Sequence, residues 1–185
     1  MKKRVMTIGV LIGIFIATVI VAYAITNLFF TKSQTSDFSK KQIFQFDLDT
    51  GLSSGEVAPG DSFSVSPVIF NDATEEMYVF IQVAMPETSD GTLYSFDVDD
   101  DWCLVSEDSG TVVYAYGDTE MTVLSPGDST IALTNQMTMQ SISNAEYAAV
   151  DDINITITGY AIGTGGVSTN PTDAWNECKT IGNIQ

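Results

Sequence analysis

The chain has 185 residues, 44% of them hydrophobic, which suits one domain with a substantial buried core. Its formal net charge is −17, and all seven Lys and Arg (Lys2, Lys3, Arg4, Lys32, Lys40, Lys41 and Lys179) lie near the ends, so Gln42 to Cys178 carries acids alone. Such a body repels nucleic acid and anionic lipid, and the absence of His excludes a His-ligated zinc site, a Ser-His-Asp triad and a Cys-His pair.

Lys2-Lys3-Arg4 followed by an apolar run from Val5 to about Phe30 has the form of an export leader. Ala22-Tyr23-Ala24 offers a small-residue cleavage site after Ala24, giving a leader of residues 1–24 and a new terminus at Ile25. The run is also long enough to span a bilayer, which needs roughly 20 residues, so an uncleaved anchor reaching to about residue 30 is the competing reading. Either way the body is exported, and it meets the membrane only through this segment before processing. Residues 25–42 then form an apolar strand-former (Ile25, Leu28, Phe29, Phe30) and a polar linker. A strand left exposed in this way either pairs with another chain or tucks onto its own domain.

The domain of residues 43–185 reads as short strands. Phe44, Phe46 and Leu48 alternate with polar residues in the first of them. Ala58-Pro59-Gly60-Asp61 predicts a tight turn, followed by a strand in which Phe63, Val65 and Ile69 alternate with serines. Met77 to Met85 is almost wholly apolar and rich in strand-favouring residues, so it predicts a strand covered on both faces. Further strands are expected at Thr92–Phe96, Trp102–Val105, Thr111–Tyr116, Met121–Leu124 and Ile131–Leu133, the last following a second turn, Pro126-Gly127-Asp128-Ser129. Ile153, Ile155 and Ile157 alternate in a final strand, and Thr172 to Cys178 predicts a short helix capped by Thr172. Short strands without long helical patterns predict an all-β antiparallel sandwich of jelly-roll type.

The ordered series resembles the TasA/camelysin family of secreted Gram-positive surface and biofilm-matrix proteins, which are exported with a SipW-type signal peptidase. The residues that carry it are the leader ending at Ala22-Tyr23-Ala24, Pro59-Gly60-Asp61, Asn71, Tyr78–Val83, Trp102, Tyr114-Ala115-Tyr116, Pro126-Gly127-Asp128, Gly159–Ile162 and Ala174-Trp175. It covers nearly the whole chain, although Gly163 follows Ala161-Ile162 where many relatives carry Gln. The resemblance implies a jelly-roll subunit of extracellular fibres. In fibre-forming relatives the mature N-terminal segment completes the sheet of the next subunit, and here residues 25 to about 42 would do so. The partners implied are other copies of the chain and, during export, a signal peptidase. The metallopeptidase label of camelysin-type relatives is not carried over, because this chain has no imidazole ligand; no enzyme activity, catalytic residue or organic cofactor is expected.

Other candidate sites are few. Asp97, Asp99, Asp100 and Asp101 can offer oxygen ligands to Ca²⁺, but they lack EF-hand spacing, and a solvated turn is the better reading of them. Cys103 and Cys178 are the only cysteines, and in an exported protein they are expected to form one disulfide, the alternative being two free thiols. Tyr114, Tyr116 and Tyr160 suggest a sugar platform or, more plainly, core packing. The second functional reading is therefore a monomeric surface domain that binds Ca²⁺ or glycans.

Overall fold

The computed structural model describes residues 29–35, 46–51, 57–89, 91–149, 153–182 and 184. Its strands are β1 (Phe29–Thr35), β2 (Phe46–Asp49), β3 (Ser62–Ser64), β4 (Val68–Asn71), β5 (Met77–Ala84), β6 (Glu87–Thr88), β7 (Gly91–Thr92), β8 (Tyr94–Ser95), β9 (Trp102–Asp108), β10 (Thr111–Tyr116), β11 (Gln136–Met139) and β12 (Thr156–Gly163). Helix α1 (Asn144–Ala149) precedes β12 and α2 (Pro171–Gly182) follows it. The protein is all-β in its framework, with antiparallel pairing in every sheet.

The largest sheet has the order β1-β12-β5-β10-β9. Its centre is β5, whose side chains divide by parity because successive residues of a strand face opposite ways. Met77, Val79, Ile81 and Val83 enter one apolar cluster with Leu48, Ile69, Leu93 and Met137. Tyr78 and Phe80 enter a second cluster with Ala174, Trp175 and Cys178 of α2. Both faces of β5 are therefore covered, as its unbroken apolar sequence predicts. Each fully buried large side chain contributes about 1.5–3 kcal/mol relative to exposure. The tight β9–β10 connection follows from Ser109 and Gly110, both at positive φ (42° and 72°), which matches the twist of a two-residue hairpin.

The two Pro-Gly-Asp turns organise the remaining strands. Each has its glycine at positive φ (Gly60 91°, Gly127 84°) and closes with a bond from the Asp N–H to the carbonyl three residues back. The stretches that follow run antiparallel to one another from end to end. β3 pairs with β11 (Ser62↔Thr138, Ser64↔Gln136), Leu133 N–H donates to Pro67, and Thr130 N–H donates to Ile69. At the two ends each turn grips the other stretch. Gly60 N–H donates to Met139 (3.0 Å) and Met139 N–H to Asp61 (2.9 Å); Gly127 N–H donates to Asn71 and Asn71 N–H to Asp128, both at 2.9 Å. β2 extends this ribbon beside β4, and β8 extends it beside β11.

Several elements differ from their sequence expectation. Met121–Leu124 makes only isolated bridges, Gly117↔Met121 and Met77↔Leu124. Ile131–Leu133 is irregular, and the ladder lies instead at β11, where Met137 and Met139 point inward and Gln136 and Thr138 outward. Thr92–Phe96 splits into the ends of β7 and β8. β12 begins only at Thr156 but continues through Gly159-Tyr160-Ala161-Ile162, which β5 pairs along its whole length. α2 is longer than expected and is capped by Asn170, not Thr172: Asn170 Oδ1 accepts from the N–H groups of Thr172 and Asp173 (both 3.1 Å), with Pro171 at the first helical position. α1 was not expected; Ser143 and Glu146 form a reciprocal capping box, Glu146 N–H to Ser143 Oγ at 3.2 Å and Ser143 N–H to Glu146 Oε2 at 2.9 Å.

Candidate functional site

The expected donor segment enters the described residues at β1. Ala24, Ile25 and Leu28 lie outside them, while Phe29 and Phe30 open the strand. β1 pairs antiparallel with β12 over seven positions, from Phe29↔Ile162 to Thr35↔Thr156. It is the outermost strand of the sheet, held by a ladder on one side, and its backbone also approaches β2 and α2. Within one chain, then, the segment completes its own sheet. Without it β12 would be an edge. The interior of β12 is apolar on both faces: Ile157 and Ala161 face one cluster, Tyr160 and Ile162 the other. An edge of that kind is a template for another strand of matching length.

The four aspartates serve a turn. Trp102 N–H donates to the Asp99 carbonyl at 3.0 Å, and Asp101 N–H to Asp99 Oδ1 at 3.1 Å, so Asp99 fixes the entry to β9. Asp99 N–H donates to Leu133, and the Asp101 carbonyl accepts from Gly117. Asp97, Asp100 and Asp101 are exposed. Among the described residues no three His, Cys, Asp or Glu side chains converge as a metal site, so these four do not gather into the Ca²⁺ cage considered above. Their field still acts locally: burial pushes the Tyr116 phenol up, and Asp101 and Asp99 push it further.

Cys103 and Cys178, expected to bond, are free thiols in this structure. Both belong to the cluster between α2 and the sheet. Burial pushes the Cys178 thiol up to about 12; burial and then Asp118 raise Cys103, which is only half buried. Neither environment favours a thiolate. Tyr114, Tyr116 and Tyr160 do not form a common platform. Tyr160 is buried against Trp175, with its hydroxyl donating to Gln82 (3.0 Å), Tyr114 packs edge-on to Phe96, and Tyr116 packs on Trp102.

In the sequence, Asn71-Asp72 closes a strand and offers local side-chain bonds to the turn backbone; the bond from Asn71 to the distant Leu124 was not foreseen. Asn71 is fully buried. Its Nδ2 donates to the carbonyls of Glu75 (3.0 Å) and Leu124 (2.8 Å), and its Oδ1 accepts from Ala73 N–H (2.9 Å). The short polar run Asn71-Asp72 between two apolar strands was the available signal. Its role is to hold the β4–β5 connection, not to bind a ligand.

No family model, curated protein or solved structure matches this chain. The fold defines an antiparallel all-β protein, and its functional reading rests on its own residues.

Proposed function

We propose that the chain is an exported structural subunit of extracellular fibres or biofilm matrix, with a jelly-roll-like sandwich body, that polymerises by donating its N-terminal strand to the next copy. The observation that carries this reading is the placement of β1. A seven-residue strand from the end of the chain, preceded by an export-type leader, occupies the sheet edge against β12. The same ladder can be completed by β1 of another copy, since strand addition needs only matching main-chain groups and side chains of the right alternation. Exchange between copies joined head to tail gives an open filament when the rotation does not close. The acidic body opposes close approach, so assembly is expected to be faster in salt or with divalent cations.

The pairing of β1 within its own chain also supports a second reading, a self-completed monomer displayed at the cell surface. Paired cysteines separate the two. Thr35→Cys with Thr156→Cys, register partners in β1 and β12, are placed in a Cys103→Ser, Cys178→Ser background. Oxidised assemblies that run as covalent ladders on a denaturing gel, with filaments under negative stain and none from a form lacking residues 25–42, support strand donation. A single monomeric crosslinked band and no filaments at high concentration would leave the monomer.

A further inference from the structure

Beside the β11 ladder lies a feature that the fibre reading does not use. β8 and β11 pair at Tyr94↔Met139 and Ser95↔Thr138, and the register would next set Asp97 against Gln136. That bond pair is not made. Thr134 Oγ1 donates to the Gln136 carbonyl (3.1 Å) and accepts from Gln136 N–H (3.5 Å), turning both main-chain groups of Gln136 back on their own stretch. The two stretches meet again only where Asp99 N–H donates to Leu133, at 2.9 Å. Between these points they stand apart around an open cleft of about 420 Å³. That volume lies within the range of small-molecule pockets, about 300–1,000 Å³.

The lining decides the ligand class. One wall is formed by Asp97 and Asp99, which carry carboxylates, the other by Asn135 and Gln136, which carry amides, and by Thr138, whose hydroxyl is shared with Ser62 at 2.8 Å. Carboxylates only accept hydrogen bonds, whereas amides both donate and accept. A ligand that bridges the walls donates to one side and can donate to or accept from the other, which vicinal hydroxyl groups do, whereas among the described residues no three carboxylates converge to hold a cation. Phe96 also lines the cleft, its ring held edge-on to Tyr114 at 6.0 Å, and gives a half-buried apolar surface for the C–H face of a ring. No Lys or Arg occurs between Gln42 and Cys178, so the segments that line the cleft bring no cationic side chain for an anion. We propose that this cleft binds a neutral oligosaccharide segment. It is distinct from the β1–β12 edge and does not depend on polymerisation.

The test uses the exported chain with neutral tetrasaccharides built from glucose, N-acetylglucosamine, galactose or mannose, read by saturation-transfer NMR and calorimetry. Gln136→Ala and Asp97→Ala change exposed side chains, so their melting temperatures are expected to stay near the parent's. The expected result is saturation transfer from at least one tetrasaccharide and a loss of affinity of about tenfold or more in each variant. Ser95→Trp, which fills the cleft from its wall, is expected to abolish binding. No transfer from any of the four sugars at millimolar concentration overturns the proposal. So does transfer that survives all three substitutions, or competition by a lysine-rich peptide or Ca²⁺ in place of sugar binding.

Discussion

The stretches 59–71 and 126–139 start from the same turn and pair with each other, yet they end on different residues. The first ends on Asn71, whose side chain makes three further bonds to main-chain groups; the second ends on Met139, which is equally buried but purely apolar. The turn grips both in the same way, through two main-chain bonds each. What differs is what lies beyond. After Asn71 the chain doubles back at once into β5 through a short, mostly exposed loop, whose main chain the Asn71 side chain ties down at Ala73 and Glu75. After Met139 it leaves for the surface and α1. A polar side chain is buried where it fixes the main chain of a tight connection, and a hydrophobic one suffices where the chain leaves without such a turn.

The comparison can be broken most severely at Asn71. Asn71→Ala removes three side-chain bonds from a fully buried site, one of the two donors to the Leu124 carbonyl and the side-chain partners of the Glu75 carbonyl and Ala73 N–H, and is expected to cost about 3–5 kcal/mol in denaturant unfolding. Met139→Ala opens a cavity in the core but orphans nothing, and is expected to cost about 2–4 kcal/mol. If the two losses come out in the reverse order, the loop does not depend on the Asn71 amide. Thr130 is the next step down: it is buried, and its Oγ1 accepts from Ile69 N–H at 3.0 Å. Thr130→Val is expected to cost about 1–3 kcal/mol, with faster hydrogen exchange at the Ile69 amide as the marker.

The turns themselves sharpen the contrast. Gly127→Ala meets nothing within 4 Å and should show only the backbone cost of positive φ, about 1 kcal/mol. At Gly60 a Cβ would stand 3.3 Å from Ser141 Oγ, so Gly60→Ala should cost more, as a difference in melting temperature. The smallest effect is at the surface exit of the second stretch. Bonds from Ser143 N–H and from the Ser143 and Ser89 hydroxyls hold the Glu146 carboxyl below the ordinary value of 4.5. A depressed folded value means that its contribution is present above the unfolded pKa and is lost as pH falls through the folded one. Protection of the Ser143 amide against exchange should therefore be lost as the pH falls below the ordinary 4.5, and Glu146→Gln should remove that step.

Much of the framework was legible because its cause is local. β5 announces itself by having no polar face, β10 by its β-branched and aromatic run, and both turns by Pro-Gly. β11 was not legible: Gln136-Met-Thr-Met139 alternates, but methionine is a poor strand marker, and the apolar Ile131-Ala-Leu133 beside it reads as the better strand. What rules that out is non-local, since Leu133 and Thr130 are spent on bonds to Pro67 and Ile69. The start of β12 was misplaced for a similar reason, because the ladder with β5 sets its limits, not the isoleucine alternation. Asp97 and Asp99 stood out in sequence as acids. Only the ladder that Thr134 interrupts brings them opposite Asn135 and Gln136.

The β1–β12 pairing joins the first and last strands described, and this fixes an order of events. A polypeptide exported from its N-terminus exposes β1 long before β12 has emerged. The β9–β10 hairpin closes a two-residue loop and can form early, whereas β1 must wait for the last strand of the sheet. Throughout that interval the rest of the sheet assembles with β1 unpaired. Under the strand donation proposed above, the local concentration of finished subunits during that interval would decide between a strand's own subunit and a neighbour's, so the proposal expects monomers at low secretion rates and chains at high ones.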